Sequence, residues 1–139
     1  MQYQKFGDTY VVRLFSGEEI HPSLTALCEK EDIRLAQVSG IGAVDHAVVG
    51  LYKMAEKRYF PTTLDGEMEI LSLAGSVTRM DGKPYLHLHI TLGRDGGAAA
   101  GGHLTEGRIS VTGELFVRVL PGQVGRELDK DIGINMMTF

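Results

Sequence analysis

Apolar positions recur with two different periods along this chain. Thr9–Phe15 (TYVVRLF) is rich in β-branched and aromatic residues, which pack well on a pleated surface and predict a strand. Ile20, Leu24, Leu27 and Cys28 then fall at helical spacing and predict a helix to about Lys30. Ser16 and Glu19 stand at the spacing of a capping box, and Pro22 is tolerable only in a first helical turn. The charged run Glu29–Asp32 ends this helix, the only convincing one in the chain.

Beyond it the period is two. Arg34–Val38 leads into Ser39-Gly40-Ile41-Gly42-Ala43-Val44 and then His46–Tyr52; glycines inside such a run predict a bulge or a close backbone approach. Tyr59–Leu64 carries Pro61 and reads as an edge or a connection, and Glu67–Thr78 as a long strand. Met80-Asp81-Gly82-Lys83 is a hairpin turn, with Pro84–Leu92 returning. Gly93–Gly102 (GRDGGAAAGG) reads as a flexible or tightly folded loop; it lacks the spacing of a dinucleotide fingerprint. Arg108–Leu120 alternates as a strand, and after a polar stretch Ile134–Phe139 could add a short last one. With no repeat and no linker, the pattern predicts one α+β domain over residues 1–139, a mainly antiparallel β-sheet with one principal helix packed on it.

Composition narrows the function classes. The chain has 139 residues, 43% hydrophobic and 23% charged, enough for one substantial core and against disorder. Its net charge is −4 and its 14 Lys and Arg are scattered, so DNA binding gains no support from charge. A lone cysteine, Cys28, cannot form an internal disulfide, which fits a reducing cytoplasm. No apolar stretch has membrane-spanning length, and no signal segment is read at Met1–Phe15.

The candidate chemistry lies in Tyr85–Leu92. Strand parity puts Leu86, Leu88, Ile90 and Leu92 on one face and Tyr85, His87, His89 and Thr91 on the other. Both imidazoles then project together, roughly 7 Å apart at the backbone and within reach of one ion. His103 follows the glycine-rich loop, which lets the chain double back toward them. Three histidines with an open fourth position match a non-structural zinc site, zinc or a related divalent transition metal being the expected ion. Glu114 shares a strand face with Ser110 and Thr112; it is a candidate base, or a partner that orients an imidazole. His21 and His46 look isolated and are read as structural or exposed, Glu67 and Glu69 as an exposed strand face. Ser39 lacks the residues of a nucleophile elbow.

Taken in order, Ser39–Val44, Glu67–Gly75 (EMEILSLAG), His87-Leu88-His89, Gly101-Gly102-His103-Leu104 and Glu114 resemble the plants-and-prokaryotes conserved domain. The resemblance covers almost the whole chain and implies a homotrimer. In plants the domain follows AT-hooks in nuclear proteins that bind AT-rich DNA; this chain has no Arg-Gly-Arg hook core. The plant partner-contact motif has an arginine where Glu67 stands here. The three histidines match positions that the family uses for metal. Four readings follow: a stand-alone prokaryotic trimer holding a transition metal at His87, His89 and His103; a DNA-associated regulator; a metal-assisted hydrolase or lyase with Glu114 as base; and a purely structural trimer whose histidines line an interface.

Overall fold

A computed structural model describes residues 1–139. Strands β1 (Gln2–Phe6) and β2 (Thr9–Phe15) form a hairpin that leads into helix α1 (Ile20–Lys30). Then come β3 (Ala36–Lys53), β4 (Arg58–Met80), β5 (Lys83–Gly93) and β6 (Ala99–Val119). The tail forms a separate pair, β7 (Gly125–Asp129) with β8 (Ile134–Thr138). Every pairing is antiparallel, and the main sheet runs β1-β2-β6-β3-β4-β5. The α+β class expected from the pattern is the one observed.

One further ladder shapes the molecule. The start of β6, Ala99–His103, pairs with the end of β5, Gly93–His89. Because β6 also pairs with β3, β3 with β4 and β4 with β5, four strands close on themselves. Closure satisfies edge groups that would otherwise stand open. The interior holds one cluster of 25 buried hydrophobic residues, including Leu88 and Leu92 of β5 and Leu104, Ile109 and Leu115 of β6. Helix α1 adds Ile20, Leu24, Leu27 and Cys28, the stripe read from the sequence. Burying a leucine or isoleucine of this kind is worth about 1.5–3 kcal/mol.

Two local expectations differ from what is observed, and one choice between alternatives is settled. The capping box does not form: Glu19 makes no side-chain cap bond. Residues 17–19 are instead pinned to β6, where the Gly17 N–H donates to the Ile109 carbonyl and the Ile109 N–H to that of Glu18. The Glu18 carboxylate accepts from the Phe15 N–H and from the Met1 ammonium. The segment around Pro61 is not a connection but part of β4, opposite Gly50 of β3; β5 pairs with β4 only from Glu69 onward, so Pro61 sits on an open edge where its missing N–H costs nothing. The glycine-rich loop shrinks to a turn over Arg94–Ala98, because Gly93 and Ala99–Gly102 are strand residues.

The remaining strand glycines explain how the sheet closes. A Cβ on Gly101 would stand 2.2 Å from the Ile90 carbonyl oxygen, and one on Gly75 would stand 2.0 Å from the His87 carbonyl oxygen. Neither contact involves a side chain that can swing away. Gly75→Ala should therefore lower stability by about 1–3 kcal/mol, as overpacking does. Urea unfolding followed by circular dichroism checks this, and an unchanged midpoint would contradict the close approach.

Candidate metal centre

Parity along β5 decides which side chains meet. Leu88, Ile90 and Leu92 are buried inward, so His87 and His89 project from the outer face. Their cross-strand neighbours on β4 are small: Ser76 opposite His87 and Ala74 opposite His89. On the other side, closure of the sheet sets His103 of β6 directly opposite His89. Directly opposed antiparallel residues hold their Cβ atoms about 4.5–5.5 Å apart, close enough for ring contact. The three imidazoles form a nearly equilateral triangle, with ring centroids 5.1, 5.1 and 5.5 Å apart. One nitrogen from each ring lies within 4.8 Å of the others.

The donor set fits a transition metal. Nε2 of His87 and Nε2 of His89 stand 3.2 Å apart. Two imidazole nitrogens on one tetrahedral zinc, each about 2.0–2.1 Å from it, would be roughly 3.3 Å apart. At that separation two protonated rings would repel, so at least one nitrogen carries a lone pair. Burial pushes the His87 imidazole down to about 4, helped by the charges of His103, Arg126 and His89. Burial also lowers His103, with His89 and His21 adding to the effect. Both rings are thus neutral near pH 7, the form that binds metal. Nδ1 of His103 is buried, and no group of the chain pairs with it.

Residues distant in sequence enclose this triangle. The Tyr59 ring of β4 lies 4.8 Å from that of His103. The β7–β8 pair covers the outer face beside His87, bringing Arg126 and Asn135 to a cavity of about 200 Å³ that His87, His103, Tyr59 and Tyr85 also line. His21, in the first turn of α1, is close enough to act on His103 electrostatically, and its own Nδ1 is buried and unpartnered. Sequence reading placed Tyr85 on this face and read His21 as structural or exposed, but did not connect Tyr59, Arg126 or Asn135 with the site. The tail offered only weak alternation, and nothing local says where it docks.

The other candidates lie elsewhere. Glu114 is eleven residues further along β6 from His103, paired with Arg13 and Ile41, and so of order 30 Å away at the strand rise. Within one chain it neither touches nor orients the histidines. His46 is not isolated: its Nδ1 lies 2.7 Å from Asp65 and its Nε2 3.6 Å from Glu106, and the bond to Asp65 raises its pKa. Glu67 and Glu69 are exposed, as expected.

Residues 1–121 match the model of the plants-and-prokaryotes conserved domain. The chain belongs to that family. Solved structures of similar proteins agree along its whole length. A candidate DNA-binding protein of Bacteroides thetaiotaomicron is 33% identical, with a TM-score of 0.96 over 99% of this chain and 96% of that one. A metal-containing protein of Archaeoglobus fulgidus is also 33% identical, with a TM-score of 0.90 over 100% and 99%. A plant- and prokaryote-conserved protein of Pyrococcus horikoshii is 31% identical, with a TM-score of 0.88 over 99% and 95%. No curated protein matches. The conserved-domain match stops before β7, so Arg126 and Asn135 come from outside it.

The depressed histidines have a consequence for metal-free protein. Unfolded, His87 takes a proton near 6.5; folded, it stays neutral down to about 4. Between those values the unfolded chain binds more protons, so stability falls as pH falls. His21 and His103 act in the same direction, and His46, whose pKa is raised, acts in the opposite one. For protein stripped by chelator, His87→Gln should flatten the loss of stability between pH 6.5 and 4.5. Urea midpoints at four pH values measure it; a slope equal to wild type would contradict the burial of this ring.

Proposed function

We propose that this protein is a homotrimeric member of the family that binds a transition metal, zinc first among the candidates, through His87, His89 and His103. The observation that carries the reading is the 3.2 Å approach of the His87 and His89 nitrogens beside His103. Three imidazole nitrogens suit zinc and its neighbours, whereas magnesium and calcium prefer oxygen ligands. The A. fulgidus relative, 33% identical, is described as metal-containing, which supports the same reading here. When bound, such an ion supplies Lewis acidity. The chain's part is to hold three rings on a closed sheet, where burial keeps those of His87 and His103 neutral.

Elemental analysis of untagged protein should find close to one metal per chain. That metal should disappear in the His87→Ala, His89→Ala double variant while the circular dichroism spectrum is retained. Wild-type protein that holds no metal above pH 7 after incubation with zinc would end the reading.

Self-association is supported by an apolar groove on the outer face of β3, β4 and β6, lined by Ile41, Leu71 and Val111, which are 56%, 56% and 71% exposed. Glu114 lies in the same groove. Apolar patches of this kind mark association surfaces. Light scattering coupled to size exclusion should report three times the chain mass, and Leu71→Asp should shift the protein toward monomer. A wild-type monomer at micromolar concentration would refute the trimer.

DNA binding rests on the names of relatives such as the B. thetaiotaomicron protein. The charge pattern does not favour it. Five of the eight arginines (Arg34, Arg58, Arg79, Arg108 and Arg118) are already paired with carboxylates.

A further inference from the structure

The cavity beside His87 contains a cation with no counter-ion. Arg126 is only 9% exposed. Its Nε donates to Thr78 Oγ1 at 2.9 Å and its Nη1 to the Asn135 carbonyl at 2.8 Å, while its Cζ lies 4.7 Å from the Tyr85 ring centroid. All of these partners are neutral. No carboxylate lies within 4 Å of the guanidinium, unlike Arg34, Arg58, Arg79, Arg108 and Arg118. Its Nη2 makes no hydrogen bond within the chain and is not enclosed by it. Burying a charge is costly unless it is paired, and these neutral hydrogen bonds satisfy only part of what guanidinium offers.

The rest of the cavity has the same sign problem. His87, His103, Tyr59, Tyr85 and Asn135 line it, and no acidic residue does. Should the three histidines hold a divalent ion, three neutral ligands would leave its full charge uncompensated. Two centres of positive charge would then face one cavity of about 200 Å³. At about 30 Å³ per water, that is the volume of six or seven water molecules, so the occupant is small. Guanidinium matches oxyanions in particular, because its planar fork meets two oxygens at once.

We propose that this cavity binds a small oxyanion, a carboxylate or a phosphate of a few heavy atoms, with Arg126 as its anchor and its far end toward the histidine triangle. The inference rests on the metal reading for the second charge and on Arg126 alone for the first. It also gives the tail hairpin a task. β7 carries Arg126, β8 carries Asn135, and both stand outside the segment that matches the conserved domain. The oxyanion site is thus built jointly by the closed sheet and by the tail hairpin.

Isothermal titration calorimetry with glycolate and, separately, inorganic phosphate tests this on zinc-incubated and on chelator-stripped protein. Wild type should bind at least one of the two saturably and one to one, and whichever binds more tightly identifies the oxyanion. Arg126→Met should weaken that binding tenfold or more. Arg126→Lys, which keeps the charge but loses the fork, should fall between. Metal content measured on the same samples keeps the two readings apart. Loss of anion binding with metal retained in Arg126→Met supports the proposal. If wild type holds no metal, the metal reading fails by itself, and the stripped-protein titration decides the Arg126 anchor alone. Because Arg126 also ties the hairpin to Thr78, near-ultraviolet circular dichroism accompanies each variant, and Arg126→Lys decides the matter if the methionine variant unfolds. Wild type that binds neither anion in either state would overturn the proposal. So would a folded Arg126→Met or Arg126→Lys protein that binds as tightly as wild type.

Discussion

Pairing of β5 with the start of β6 is the interaction on which the rest of this structure depends. Without it the sheet is an open ribbon, and His103 has no reason to lie near His87 and His89. With it, the register sets His89 opposite His103, and one ring-to-ring contact follows from backbone hydrogen bonding alone. The pairing is possible because the chain approaches itself more closely than side chains permit. Gly101 sits against the Ile90 carbonyl across this ladder, and Gly75 of β4 against the His87 carbonyl across the neighbouring β4–β5 ladder, where any Cβ would collide. The glycines near the histidines therefore act less as flexible hinges than as points of contact. They are small by necessity.

Closure also sets the electrostatics. It puts two of the three rings half out of water, and burial disfavours the charged form of an imidazole. Mutual proximity works in the same direction, since each proton added to one ring makes the next harder to add. For His87 and His103 the neutral, lone-pair-bearing state is thus built into the packing before any ion arrives. An acidic neighbour would oppose this, as Asp65 does at His46, whose pKa is raised. The contrast between His46 and His87 within one sheet shows how far surroundings, not residue type, decide what an imidazole can do.

Much of this was legible in the sequence, and for definable reasons. Strand parity is local, so the common face of His87 and His89 and the inward face of Leu88, Ile90 and Leu92 could be read directly. The stripe of Ile20, Leu24, Leu27 and Cys28 is equally local, and it is the buried stripe of α1. Errors arose where distant groups competed with local preference. Ser16 and Glu19 have capping-box spacing, but the segment makes its hydrogen bonds to Ile109 on β6. The GRDGGAAAGG run has the composition of a loop, but half of it is strand, because a neighbouring backbone occupies the space that side chains would fill. Glu114 has the right parity but sits far along its strand, a distance that counting residues from His103 could have supplied.

Arg126 was the least legible residue, and it bears most directly on what the site can bind. It lies in a short polar tail whose docking depends on long-range contacts: Thr78 of β4, Tyr85 of β5 and the Asn135 carbonyl of β8. Removing one partner of a buried charged group costs more than the pair contributes, so such an arrangement persists only where every contact is kept together. A purely structural anchor would be served as well by a methionine or leucine packed on Tyr85, with no charge to desolvate. A guanidinium at this position, with neutral partners and one nitrogen left over, makes sense when something negative comes to meet it. The same reasoning separates the two halves of the site. The three imidazoles stand on the closed sheet itself, whereas the cavity and its positive charge are completed by the docked tail.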